Sequence, residues 1–114
     1  MTDLAGRPAA LATELLRHGA RFVVVGSTAR RLTTGEGTPH DLDVTVCRGD
    51  LPRLAAALAG LGVTTTVERL GREGQSHVDT SWGPLDVFVD DDVAARELAY
   101  VRGGRTWTLE VVAP

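Results

Sequence analysis

The sequence predicts an α/β fold of the α+β kind, a mixed β-sheet with helices packed on one face. Three observations lead there. Segments with apolar residues at helical spacing alternate with short β-branched runs. Two of those runs, Asp41 to Val46 (DLDVTV) and Pro84 to Asp90 (PLDVFVD), alternate apolar and acidic residues, so each strand has one side for a helix layer and one left open. Turn residues at Gly71–Gly74 and at Trp82-Gly83-Pro84 bracket a stretch able to fold back as a hairpin.

The elements follow in order. Pro8 sits where the first turn of a helix tolerates it, and Leu11, Leu15 and Leu16 recur at helical spacing before Gly19, which predicts a helix over about 8–18. Phe22–Val25 is aromatic and β-branched, a buried strand, and Gly26 lets the backbone turn tightly. A short helix, Thr28–Leu32, comes next, and the glycine-rich piece Thr34–His40 reads as a loop. After the DLDVTV strand, Asp50 is placed as an N-cap and Pro52 in the first turn of a second long helix, with an apolar stripe of Leu51, Leu54, Ala55, Leu58 and Leu61. Val63–Leu70 is rich in threonine and valine, and Ser76–Ser81 pairs back as a hairpin strand. Residues 92–100 are predicted helical, with Asp90, Asp91 and Asp92 as caps, and Gly103-Gly104 leads into a last strand, Thr106–Val112.

At 114 residues the chain fits one domain, 1–114, large enough to bury a core. No run approaches the ~20 apolar residues of a bilayer span, and no charged-then-apolar leader opens the chain, so a cytoplasmic location is expected. Cys47 stands alone, which suits a reducing compartment. The formal net charge of −3 argues against extended, non-specific binding to nucleic acid, while leaving room for a local basic patch. All the basic residues are arginine, the side chain best suited to bidentate phosphate or carboxylate contacts.

The chemistry concentrates on acids. In a strand, residues two apart project from one face about 6.6 to 6.8 Å apart, so Asp41, Asp43 and Thr45 share the open face while Leu42, Val44 and Val46 share the other. Carboxylates so close repel, and one is pushed towards protonation unless a cation lies between them. Hard oxygen ligands of this kind suit Mg2+ or Mn2+ rather than Zn2+. Asp86 opposes an apolar face of Leu85, Val87 and Val89, and on a neighbouring strand it would stand beside the first pair. Three such carboxylates are what two metal ions need for in-line displacement at phosphorus. The helix after Gly26 would also aim backbone amides at a phosphate over Ser27.

An apolar strand ending in Gly26-Ser27, a spacer, Asp41-x-Asp43 and a later strand acid at Asp86 resemble the signature of the nucleotidyltransferase superfamily, the DNA polymerase beta-like fold. Asp41 lies fourteen positions after Ser27 and Thr38 three before Asp41, which looks more like the branch with the AbiEii-type toxin proteins than the shortest antitoxin forms. The likeness spans roughly residues 10–95. It implies a nucleotidyltransferase-like mixed sheet flanked by helices, magnesium, and transfer of a nucleoside monophosphate from a triphosphate such as ATP to a hydroxyl of a protein, RNA or small molecule. By the same likeness Gly26 and Ser27 would touch the triphosphate, Asp41 and Asp43 would bind metal, and Asp86 would complete the site. Many relatives in that branch carry arginine two residues before the spacer threonine, where this chain has Glu36; Arg30 or Arg31 would have to supply the cation, and Arg30 is taken as nucleotide-binding. A catalytically inactive binding module on the same fold, such as a toxin–antitoxin partner, is the alternative.

Other candidates are weaker. Asp79 competes with Asp86 as the third acid because His77, Asp79 and Ser81 would share a face. The histidines His18, His40 and His77 lack metal-site spacing, though His40 adjoins Asp41. Trp82 and Trp107 are expected in the core or at an interface.

Overall fold

A computed structural model describes residues 6–113. Its elements run α1 (Gly6–Arg17), β1 (Val23–Val25), α2 (Gly26–Thr34), β2 (Leu42–Val46), a 3-10 turn (Arg48–Asp50), α3 (Leu51–Gly60), α4 (Val67–Leu70), β3 (Gln75–Thr80), β4 (Gly83–Val89), β5 (Ala95–Arg102) and β6 (Arg105–Val112). The six strands form one mixed sheet in the order β3-β4-β2-β1-β6-β5. Strand β2 runs parallel to β4 and β1 parallel to β6, while β1–β2, β3–β4 and β5–β6 are antiparallel.

The alternation read from the sequence is what gives this sheet two unlike faces. Val24, Leu42, Val44, Leu85, Val87, Leu109 and Val111 are buried and join Leu11 and Leu15 of α1 and Leu54 and Leu58 of α3 in one hydrophobic cluster. Their neighbours along the strands, Asp43, Thr45 and Asp86 among them, turn to the other face. Tyr100 of β5 ties the far strands to α1: its hydroxyl lies 2.9 Å from Thr13 Oγ1, which donates at 2.8 Å to Ala9 O. Trp107 is a core residue, with Arg105 stacked 4.2 Å and Arg17 5.7 Å from its ring centre; Trp82 is half-buried against the same core.

Several expectations are corrected. The predicted helix over 92–100 is strand β5, and Asp90, Asp91 and Asp92 cap no helix. Alanine, arginine, glutamate and leucine give ARELAYVR a helical preference, but Gly103 and Gly104 both adopt positive φ (62° and 72°), the conformation a two-residue hairpin turn requires, and β6 is there to pair along its whole length. Asp91 instead accepts from the Arg48 backbone N–H at 2.7 Å, and Asp90 from the Asp92 N–H at 2.9 Å. Asp50 does occupy the N-cap position of α3 but makes no side-chain cap bond, because the preceding 3-10 turn already gives it helical backbone angles. The threonine-rich stretch is irregular until Thr66, whose side chain accepts from Arg69 N–H and starts the single turn of α4. Helix α2 also begins earlier than expected, at Gly26 itself, and runs to Thr34.

No helix among the described residues is long and apolar enough to cross a membrane.

Candidate functional site

The site is built where β1 ends, β2 begins and β4 runs alongside. Because β2 and β4 are parallel and in register, Asp43 stands directly beside Asp86, with strand spacing of about 4.8 Å. On its other side Asp43 pairs with Val25, the last residue before the elbow. Gly26 has φ +66°, and a Cβ there would come within 3.2 Å of the Asp43 Cβ and Cγ. Glycine is thus required twice, for the left-handed backbone and for the approach of the carboxylate. The next residue uses that approach: Ser27 N–H donates to the Asp43 carboxylate, so this acid caps α2 from a neighbouring strand. Thr28 is fully buried, and its hydroxyl donates to Asp41 O at 2.9 Å, locking the first turn of α2 to the start of β2.

Proton placement follows from these contacts. Burial raises Asp43 from the ordinary 3.8 to about 6, helped by its hydrogen bond with Asp86 and the charges of Asp86 and Asp41, and opposed by Ser27 N–H. Asp86 is buried, which alone would raise it, yet it lies below the ordinary value because hydrogen bonds from His77, Gln75 and Asp43 favour its ionised form. The opposite directions of the two shifts favour Asp43 over Asp86 as the holder of a shared proton. His77 Nδ1 donates to Asp86 Oδ1 at 2.7 Å, and Nε2 to Asp79 Oδ1 at 2.9 Å. Both ring nitrogens face carboxylate oxygens, so both carry protons, and those two hydrogen bonds hold the His77 pKa above its usual value. The result is a chain of four side chains, Asp79, His77, Asp86 and Asp43, along one face of three adjacent strands.

A cleft of about 450 Å³ opens over this chain, with Ser27, His40, Asp41, Asp43 and Asp86 in its wall. A neighbouring groove of about 600 Å³ reaches Asp43 from the other side, past Gly26, Thr45 and Phe88. A third cavity, about 580 Å³ and bordered by Arg7 and Arg31, shares His40 and Asp41. No family model matches the chain. Nor does any curated protein or solved structure match it significantly.

Of the residues singled out in the sequence, Gly26, Ser27, Asp41, Asp43 and Asp86 come together here. Asp86 rather than Asp79 is the acid beside Asp43; Asp79 reaches it only through His77. Arg30 does not line the cleft. It projects from the exposed side of α2 into an ion pair with Glu36, Nη2 to Oε2 2.7 Å, so the residue that replaces the expected arginine also captures the arginine meant to compensate for it. The sequence reading missed His77 and Thr28. The signal for His77 was the two-residue turn at Ser81-Trp82: counting back from the Thr80↔Gly83 pair puts His77 opposite Asp86.

The donors suit a hard divalent cation in kind. Asp41, Asp43 and Asp86 offer only oxygen, and above about pH 6 Asp43 gives up the proton it shares with Asp86, which leaves the pair charged for a cation. Among the described residues, no three His, Cys, Asp or Glu side chains converge into a ready-made cage. Asp43 and Asp86 are the close pair, with Asp41 on the cleft wall.

Proposed function

We propose that this chain is a small nucleotidyltransferase, moving a nucleoside monophosphate from a triphosphate to a hydroxyl acceptor. The observation that carries the reading is the in-register pair Asp43–Asp86 beneath a glycine elbow whose next amide already holds one of the two acids. Asp43 and Asp86, with Asp41, are the residues that would hold Mg2+ or Mn2+, which when bound supplies charge neutralisation at the transferring phosphoryl group. The chain's own residues have separate tasks. Asp86, ionised and oriented by His77, accepts the proton of an incoming hydroxyl. The imidazolium of His77, itself held by Asp79, keeps that carboxylate charged. The start of α2 offers backbone N–H groups to phosphate oxygens, and the rigid Gly26 turn keeps them aimed at the cleft. No described helix spans a membrane, and a lone half-buried Cys47 fits action in the cytoplasm.

The decisive experiment incubates the protein with each labelled triphosphate and MgCl2, alone and with total RNA or small hydroxyl compounds, and follows pyrophosphate release and label transfer. Transfer abolished by Asp43→Asn supports the reading; transfer indifferent to that change, or none with any triphosphate, refutes it.

A second reading is favoured by one contact, the Arg30–Glu36 ion pair. It occupies a cation that a triphosphate would need, as expected of a non-catalytic module that uses this fold to bind a protein such as the other half of a toxin pair. Calorimetry with triphosphate and Mg2+ separates the two, since only the enzyme requires both to bind.

A further inference from the structure

Strand β3 forms one edge of the sheet, and α4 is fastened along it: the buried Ser76 hydroxyl donates to Arg69 O at 2.6 Å and lies 3.3 Å from Leu70 O. Between the strand, α4 and the Val63–Thr65 segment lies a cavity of about 420 Å³. Arg69, Arg72, Thr64 and Thr65 border it, together with His77 and Asp79. Among the described residues no ion pair holds the guanidinium of Arg69 or Arg72; Glu68 and Glu73, on the same stretch, are exposed, and Asp79 is engaged by His77. In a chain of net charge −3 the lining sets two guanidinium groups and His77 against one carboxylate, Asp79, and it meets the carboxylate chain at His77 and Asp79.

The geometry points to a phosphate-binding subsite in this cavity that holds a phosphate of the hydroxyl acceptor, with Arg69 and Arg72 as its cations and the two threonine hydroxyls as donors. The inference rests on the proposed transfer reaction and names its acceptor class, a phosphate-bearing hydroxyl compound. Charge and form both favour it: planar guanidinium groups take phosphate oxygens in pairs, and the cavity shares His77, the hydrogen-bond partner of Asp86, with the carboxylate chain. The same chemistry is offered by a nucleic-acid strand and by a small phosphorylated alcohol.

The test measures binding of a 5′-phosphorylated tetraribonucleotide with a free 3′-hydroxyl, and separately of glycerol phosphate, in the absence of triphosphate and metal. It uses the wild-type chain, Arg69→Ala/Arg72→Ala, and Arg96→Ala on distant β5 as a control, with circular dichroism to verify folding. The double variant should weaken binding about tenfold or more, and for the oligonucleotide the slope of log K against log salt should fall by about 0.7, the value for one phosphate contact on a single strand. Loss of glycerol phosphate binding in the double variant assigns a small phosphorylated acceptor, and loss confined to the oligonucleotide assigns a nucleic-acid end; either outcome supports the subsite. Equal binding by wild type and double variant, or an equal loss in Arg96→Ala, overturns it. Asp43→Asn separates this result from the reaction itself. Arginine-dependent binding that persists in Asp43→Asn, in a chain without transfer activity, leaves the subsite standing and removes the enzyme; Asp43-dependent transfer with kcat/KM unchanged in the double variant does the reverse.

Discussion

Replacing Asp43 with asparagine should destroy the proposed activity and at the same time make the protein more stable. Asparagine is nearly isosteric, its amide can donate to Asp86 as the protonated acid does, and its carbonyl can accept from Ser27 N–H. What it removes is a charge the fold disfavours. In the unfolded chain the carboxyl ionises near 3.8, whereas in the folded chain it holds its proton to about pH 6. The stability supplied by that proton is therefore complete below about pH 4 and is lost as pH rises through 6. A shift of this size corresponds to about 3 kcal/mol for a dry carboxyl, and the partial exposure of Asp43 reduces it to about 1 to 1.5 kcal/mol. Asp43→Asn should consequently gain about that much at pH 8, raising Tm by roughly 3 to 6 °C for a domain of this length, and should gain almost nothing at pH 4. Urea or thermal denaturation of both proteins at pH 4, 6 and 8 reads the difference. A variant less stable than wild type at pH 8, or an advantage that does not shrink on acidification, would show that Asp43 and Asp86 do not share a proton.

Gly26→Ala should lose about 2 kcal/mol or more, combining left-handed backbone with a methyl pressed onto Asp43, and should disturb transfer more than distant variants of equal stability; urea titration and a transfer assay together check this. Thr28→Val leaves the Asp41 carbonyl without its donor and should cost about 1 to 3 kcal/mol, read by the same titration. His77→Ala deprives Asp86 of its strongest hydrogen-bond donor, so the Asp86 pKa rises and the acid limb of the pH–rate profile should move to higher pH; an unmoved limb would exclude Asp86 as the proton acceptor.

The parts legible in the sequence were those where one local signal had no rival. Period-two alternation put Asp43 and Asp86 on the face opposite Leu42 and Leu85, and the Phe22–Val25 run ending at Gly26 marked both a strand and a turn. Where two signals competed, the reading followed the wrong one. ARELAYVR carries helical propensity that is overridden by pairing with β6, a contact no local window contains. His77 was judged by metal-site spacing, a rule for ligands near in sequence, when its partner was fixed by hairpin register. Arg30 followed from spacing along a helix, which says nothing of an acid on the following loop. Capping of α2 by Asp43 was invisible for a different reason: sequence rules look for a cap in the residue before the helix, and here the acceptor comes from another strand.

That borrowed cap makes the beginning of α2 a built-in reporter on the cleft. Any cation or phosphate that draws the carboxylate of residue 43 away takes an acceptor from the Ser27 amide, and whatever replaces it as acceptor changes how fast that amide trades its hydrogen with solvent. Amide exchange at this one position, followed by NMR during titration, would register occupancy without a chemical turnover, and would do so even in a chain that binds nucleotides and never transfers them.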